Sequence, residues 1–179
     1  MYNLLLVDDD PNVLRALMRT CRLDRTHPEV RRARVHAFVS PYGAAAFAAE
    51  HAVDLVLTDY RMPSMNGAQL LARIREGQPD VASILLTGST DPREIARAIN
   101  GAGICRFVPK PWDERELTHA IADALAERAA ALQLQQLAEL ARAHAAARTR
   151  EERALRALEA ESPGITRVRW SDDGGVIVD

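Results

Sequence analysis

The sequence predicts an α/β fold, a parallel β-sheet covered by helices on both faces, followed by one long helix and a short β-hairpin. Short apolar runs recur at 3–7, 34–39, 54–58, 82–87 and 105–108, each of a length that suits a buried strand. Stretches that open like helices lie between them. From Trp112 to Glu161 the chain then turns to Ala, Leu, Glu, Arg and Gln with no glycine or proline. Alternation of buried strands with helices is the pattern of a parallel sheet with both faces covered.

Taken in order, the first run ends at Asp8, Asp9 and Asp10. Asp10-Pro11 opens a helix carrying Val13, Leu14, Leu17 and Met18; a capping side chain precedes proline at the first helical position. The connection between Cys21 and Val35 holds Arg25, His27, Arg31, Arg32 and Arg34. It reads as a solvated loop, with a phosphate or partner contact as the sharper alternative. Ser40-Pro41 repeats the cap-and-proline start ahead of Ala46 and Phe47. The third run leads to Asp59 and a helix at 67–75. The fourth ends at Thr87, and Asp91-Pro92 starts a helix reaching Ile99. The fifth run precedes Lys110, and Asp113 with Glu116 forms a candidate capping box.

The stretch from Trp112 to Glu161 reads as one helix of roughly 70 Å at 1.5 Å per residue, stopped by Ser162-Pro163-Gly164. Beyond its first four turns or so, Leu137, Leu140, His144, Ala147, Glu151, Ala154 and Leu158 keep a 3-4-3-4 spacing. That is a coiled-coil seam with two polar interruptions. The tail, with its Asp/Gly-rich connection at 171–175, reads as a hairpin that needs something to pack on.

At 179 residues and 47% apolar, the chain fits one domain plus an extension. Its formal charge of -2 announces neither nucleic acid nor a solvating acidic tail. Cys21 and Cys105 stand far apart, which argues against a zinc ribbon or disulfide framework and leaves buried, inert thiols. The amino terminus lacks a basic leader region, and no stretch approaches the ~18 apolar residues of a membrane span. A soluble cytoplasmic protein is expected.

In a parallel α/β sheet, ligands collect at the carboxyl ends of the strands. Asp8, Asp9, Asp59, Thr87 and Lys110 all fall there, so five polar groups distant in sequence are expected to converge. Clustered carboxylates bind a hard divalent cation such as Mg²⁺. Asp59 can be both ligand and nucleophile, since carboxylates form aspartyl-phosphate intermediates. Lys110 would add a point positive charge and the Thr87 hydroxyl a hydrogen bond to a phosphoryl oxygen. Plainer roles suit other residues: Asp10 caps a helix, Arg106 is surface charge, Trp112 packs near a helix start, and His144 is a tolerated break in the seam. His27, His36, His51 and His119 show no ligand spacing.

The segments LLLVDDD, LVLTDYRMPSMNG, ILLTG and FVPKPW, in this order and spacing, resemble the receiver domain of two-component response regulators over about residues 1–126. The resemblance implies a five-stranded doubly wound, flavodoxin-like sheet of strand order 2-1-3-4-5 with Asp59 as phosphoacceptor. It further implies Mg²⁺, or Mn²⁺ in its stead, bound by Asp9, Asp59 and the backbone carbonyl of Arg61, with Asp8 contributing largely through water. Thr87 and Phe107 would be the switch pair, and Lys110-Pro111 the position of a cis peptide. Phe107 lacks the phenolic hydroxyl of many receivers, so its ring can move without trading a hydrogen bond. Arg61 and Ser89 match positions that influence the lifetime of the phosphoryl group, and the connection after Cys21 is longer than the family needs.

The implied partner is a histidine kinase or phosphotransfer protein. On this reading residues 1–126 are the receiver, 127–161 a helical extension and 162–179 the hairpin tail. No P-loop, paired metal-binding histidines, nucleophile elbow or basic recognition helix follows the receiver. The chain is therefore expected to be a phosphoacceptor switch, not an enzyme in the ordinary sense, with no direct DNA or membrane binding. Its first reading is an adaptor in which phosphorylation reorganises a coiled-coil homodimer. The alternatives are the regulatory part of a larger enzyme, since KPW after the fifth strand resembles receivers joined to cyclic-dinucleotide phosphodiesterases, and a phosphate sink.

Overall fold

The computed structural model describes residues 1–88 and 106–163, together with the backbone of two short strands at Arg169–Trp170 and Val176–Ile177. Five parallel strands, β1 (Asn3–Val7), β2 (Arg34–Phe38), β3 (Leu55–Asp59), β4 (Ala82–Thr87) and β5 (Arg106–Pro109), form one sheet of order β2-β1-β3-β4-β5. The helices are α1 (Pro11–Leu23), α2 (Pro28–Arg31), α3 (Pro41–Glu50), α4 (Gly67–Gly77) and α5 (Glu114–Glu161). This is the predicted doubly wound architecture with its long final helix. The expected helix from Asp91 to Ile99, Ser89 and Cys105 lie outside the described residues.

Successive strand residues point to opposite faces, and the chain uses both. Leu4, Leu6, Leu55, Leu57, Ile84 and Leu86 join one core cluster with Leu14, Leu17 and Cys21 of α1 and Leu117, Ile121 and Leu125 of α5. Leu5, Val7, Val56 and Leu85 join the other with Ala44 and Ala48 of α3 and Leu70, Leu71 and Ile74 of α4. Each wholly buried leucine contributes about 2–3 kcal/mol, so the three central strands, buried at every core position from Leu4 to Val7 and throughout β3 and β4, anchor the fold. Cys21 is the buried thiol expected, its pKa pushed up to about 11 by burial and then by the Asp24 carboxylate.

Local starts and stops differ from expectation in instructive places. Asp10 caps α1 as predicted, its carboxylate accepting from the Asn12 amide at 2.8 Å. Ser40 stands at the N-cap of α3 without a side-chain hydrogen bond, so Pro41 and the packing of Ala44 and Ala48 define that start instead. The connection after Cys21 is not wholly a solvated loop. It contains α2, whose Val30 is fully buried, and Asp24 holds its entry by accepting from the amides of Thr26 and His27. Asn66 and Gln69 close a reciprocal capping box at the start of α4, a cap beyond those the sequence analysis predicts.

The chain divides into two compact units, Met1–Leu132 and Gln133–Asp179. In the second, α5 continues as helix to Glu161, and Leu134, Leu137, Leu140, Leu155 and Leu158 are all exposed. Arg169–Trp170 pairs antiparallel with Val176–Ile177; the residues of the proposed turn between them lie outside those described.

Candidate functional site

Strand register brings the chemistry together. Val7 is level with Thr58, Asp59 with Leu86, and Thr87 with Pro109. Asp8 therefore follows β1, Asp59 ends β3, Thr87 ends β4 and Lys110 follows β5, all at the carboxyl edge of the sheet. The Lys110 amide donates to the Thr87 carbonyl at 2.8 Å, and the Lys110-Pro111 bond is cis, as the resemblance implied.

Lys110 Nζ lies 2.6 Å from Asp8 Oδ2 and 2.6 Å from Asp59 Oδ1. The other oxygen of each carboxylate is also held: Asp8 Oδ1 accepts from the Asp10 amide at 2.9 Å and Asp59 Oδ2 from the Arg61 amide at 2.8 Å. Asp8 is 1% exposed and Asp59 6%. Burial raises the Asp8 pKa, with the Asp59 charge adding to the rise, while hydrogen bonds from Lys110 and Asp10 oppose it. For Lys110 burial acts to lower the pKa, but hydrogen bonds and attraction from Asp59 and Asp8 outweigh it and the net shift is upward. Asp9, next in the chain, is exposed.

Two ionised carboxylates around one ammonium leave a negative charge in a largely buried place, and such a charge is costly without a counter-ion. Both side chains that hold Lys110 offer carboxylate oxygens, the donor type of Mg²⁺ rather than of a softer metal. The residues thus fit a hard divalent cation, although among the described residues no group of three His, Cys, Asp or Glu side chains is already gathered to hold one. Asp59 Oδ1 and Oδ2 are fixed by groups on different strands and loops, which suits a carboxylate that must present itself in one orientation.

Thr87 and Phe107, on neighbouring strands, flank the cluster. Thr87 is 8% exposed, and Phe107 is half-buried against the α3–α4 core cluster. Trp112 packs on the α1–α5 cluster, as expected. Arg106 is more than surface charge: its guanidinium lies 3.2 Å from Asp123 and 2.6 Å from Glu127 of α5, tying β5 to that helix. Arg128 makes a second tie, reaching Asp54 at 2.8 Å and the Asp80 carbonyl at 2.9 Å. Gly67 is a site residue that sequence reasoning took only for a helix start. A Cβ there would fall on the Asp59 carbonyl oxygen and on the Leu85 side chain, so its hydrogen permits α4 to approach the back of the acidic cluster. The MNG segment signalled it, but a close approach between α4 and β3 is a tertiary fact.

A carboxylate cluster with an adjoining lysine at the strand ends of a 2-1-3-4-5 sheet defines a class, the flavodoxin-like α/β domains with an acidic carboxyl edge. Within it, residues 4–122 match the model of the response regulator receiver domain, and the chain belongs to that family. The hydrogenase transcriptional regulatory protein HoxA of Cupriavidus necator is 33% identical over 121 residues, covering 68% of this chain and 23% of that protein. The cyclic di-GMP phosphodiesterase response regulator RpfG of Xanthomonas campestris is 34% identical over 117 residues, 64% of this chain and 29% of its own length. The chain thus spans less than a third of either relative. The signal receiver domain of an HD domain-containing protein from Pseudomonas fluorescens is 34% identical at a TM-score of 0.65, with 72% of this chain and 98% of that one covered. No helix among the described residues is long and apolar enough to cross a membrane.

Proposed function

We propose that the chain is a Mg²⁺-dependent phosphoacceptor switch of a two-component system, acting in the cytoplasm, with Asp59 as the residue that takes the phosphoryl group. The observation that carries this reading is the Lys110 ammonium within hydrogen-bond distance of both buried carboxylates, Asp8 and Asp59. A histidine kinase or phosphotransfer protein would supply phosphohistidine. An Asp59 oxygen attacks phosphorus, the P–N bond breaks as the O–P bond forms, and the electron pair leaves on the imidazole nitrogen, which takes up a proton. Mg²⁺, or Mn²⁺ in its place, would be held by Asp59, Asp9 and the Arg61 carbonyl, with Asp8 acting largely through water. When bound it supplies charge neutralisation of the transferring group.

This chain's own residues do the remainder. Lys110 and the Arg61 amide orient the Asp59 carboxylate, and Lys110 is placed to give its charge to a phosphoryl oxygen once transfer has occurred. The Thr87 hydroxyl would bond another phosphoryl oxygen and draw β4 toward the site. Phe107, level with Leu85 one strand away, would follow by packing alone, having no hydroxyl to pair. The reading is of a stoichiometric switch rather than an enzyme with turnover on a separate substrate.

For the output, we read residues 127–161 as a dimerising helix and 162–179 as a small appended hairpin, so that phosphorylation changes a coiled-coil assembly. The exposed leucines of α5 support this. A second reading draws on RpfG and the HD-domain protein, whose receivers are joined to further domains: this chain would then be the regulatory part of a larger enzyme. Sedimentation velocity of the full chain in Mg²⁺, with and without beryllium fluoride, separates them. A change in mass or frictional ratio that Asp59→Ala removes is the result expected of the dimer switch. An unchanged monomer would count against it and favour an output elsewhere.

A further inference from the structure

Four of the five exposed leucines of α5 form two pairs, Leu134 with Leu137 and Leu155 with Leu158, set three heptads apart. At seven residues per two turns the pairs fall on one face. The residues completing that face are Ala141, His144, Arg148 and Glu151. This stripe holds four leucines, whereas the stripe through Leu137, Leu140, Ala147, Ala154 and Leu158 holds three, so Leu140, Ala147 and Ala154 become its flank. Between the leucine pairs the seam is flanked by Ala145 and Ala147, and flanking side chains this small let two helices approach closely.

The charges choose the direction of a partner. In a parallel, in-register pair each seam residue meets its own copy: His144 meets His144, Arg148 meets Arg148, and Glu151 meets Glu151. Like charges facing across a seam are unfavourable, and proteins use such layers to exclude wrong pairings. Reversing one helix about Ala146 keeps four Leu–Leu layers and removes all three self-meetings. Leu134 then faces Leu158 of the second copy, Leu137 faces Leu155, Ala141 faces Glu151, and His144 faces Arg148. The same reversal brings Arg142 near Glu152 of the second copy and sets Ala147 of each flank against the other.

We propose that α5 binds a second copy of this chain as an antiparallel coiled coil centred on Ala146. This rests on the reading of the extension as a dimerising helix and adds its direction and register. One chain's Leu137 would lie against the other's Leu155, while the two Leu137 residues stand 18 positions apart along the axis, roughly 27 Å at 1.5 Å per residue.

The test is oxidative cross-linking of the full chain carrying Leu137→Cys or Leu155→Cys, alone and mixed after joint unfolding and refolding, with the unmodified chain as the baseline for Cys21 and Cys105. Leu134→Cys mixed with Leu158→Cys repeats it at the outer layer. The expected result is a disulfide-linked dimer in the mixtures, and none above the baseline in either variant alone. A linked dimer from Leu137→Cys alone means a parallel pair: it overturns the antiparallel assignment and leaves the dimer reading standing. A dimer by sedimentation that links in neither mixture overturns this register. A monomer at high concentration overturns the assignment and the dimer reading together.

Discussion

Lys110 donates to two carboxylates at once, and each of those carboxylates gives its other oxygen to a backbone amide. The arrangement satisfies all four oxygens of Asp8 and Asp59, yet it rests on one flexible side chain. Removing that ammonium leaves Asp8 and Asp59 facing each other with little access to water. Breaking one partner of a fully buried pair typically costs about 3–5 kcal/mol; with the Lys110 side chain 25% exposed, Lys110→Met should lose about 2 kcal/mol. Urea denaturation in the absence of divalent cations checks this. A midpoint equal to that of the unaltered chain would show that the two carboxylates are relieved in some other way. Asp8 and Asp59 were legible in the sequence because both fall at strand ends. Their joint hold on Lys110 was not, since it depends on β5 arriving beside β4 in the register seen.

Among the elements, the strands were the most readable. β1 and β4 have the predicted limits, β2 ends one residue early, β3 is shifted by one residue at both ends, and β5 ends one residue late, because a buried apolar run marks its own extent. The shift in β3 has a meaning: Asp59 belongs to the strand and takes its position from the ladder. α2 escaped because its four residues offer no periodicity and its core contribution is the single Val30. Ser40 misled because a capping residue type says only that a cap is available. At the start of α4 the determinant is space. Gly67→Ala should push α4 from β3 and displace Asp59, at a cost of about 1–3 kcal/mol for overpacking. Thermal unfolding together with the rate of phosphoryl uptake measures both parts. A variant with unchanged stability and uptake would mean that α4 can give way without disturbing the site.

At the scale of the molecule, the sheet, its two cores and the acidic edge belong to the unit Met1–Leu132, whose buried residues end at Leu125. Strand–helix alternation, strand-end polar residues and four short motifs made that unit legible almost entirely. The unit Gln133–Asp179 was legible as a helix, from composition alone, while its role was not, because exposed leucines reveal a face without saying what meets it. Asp59 is the residue on which the proposed function of the unit Met1–Leu132 turns. The full chain, incubated with Mg²⁺ and a small phosphoryl donor such as acetyl phosphate, should gain the mass of one phosphoryl group. Borohydride reduction of the acyl phosphate before digestion should locate it on Asp59, and neither Asp59→Ala nor chelation of the metal should leave detectable uptake. Uptake at an unchanged rate in Asp59→Ala, or a reduced residue mapped to another aspartate, would contradict the account.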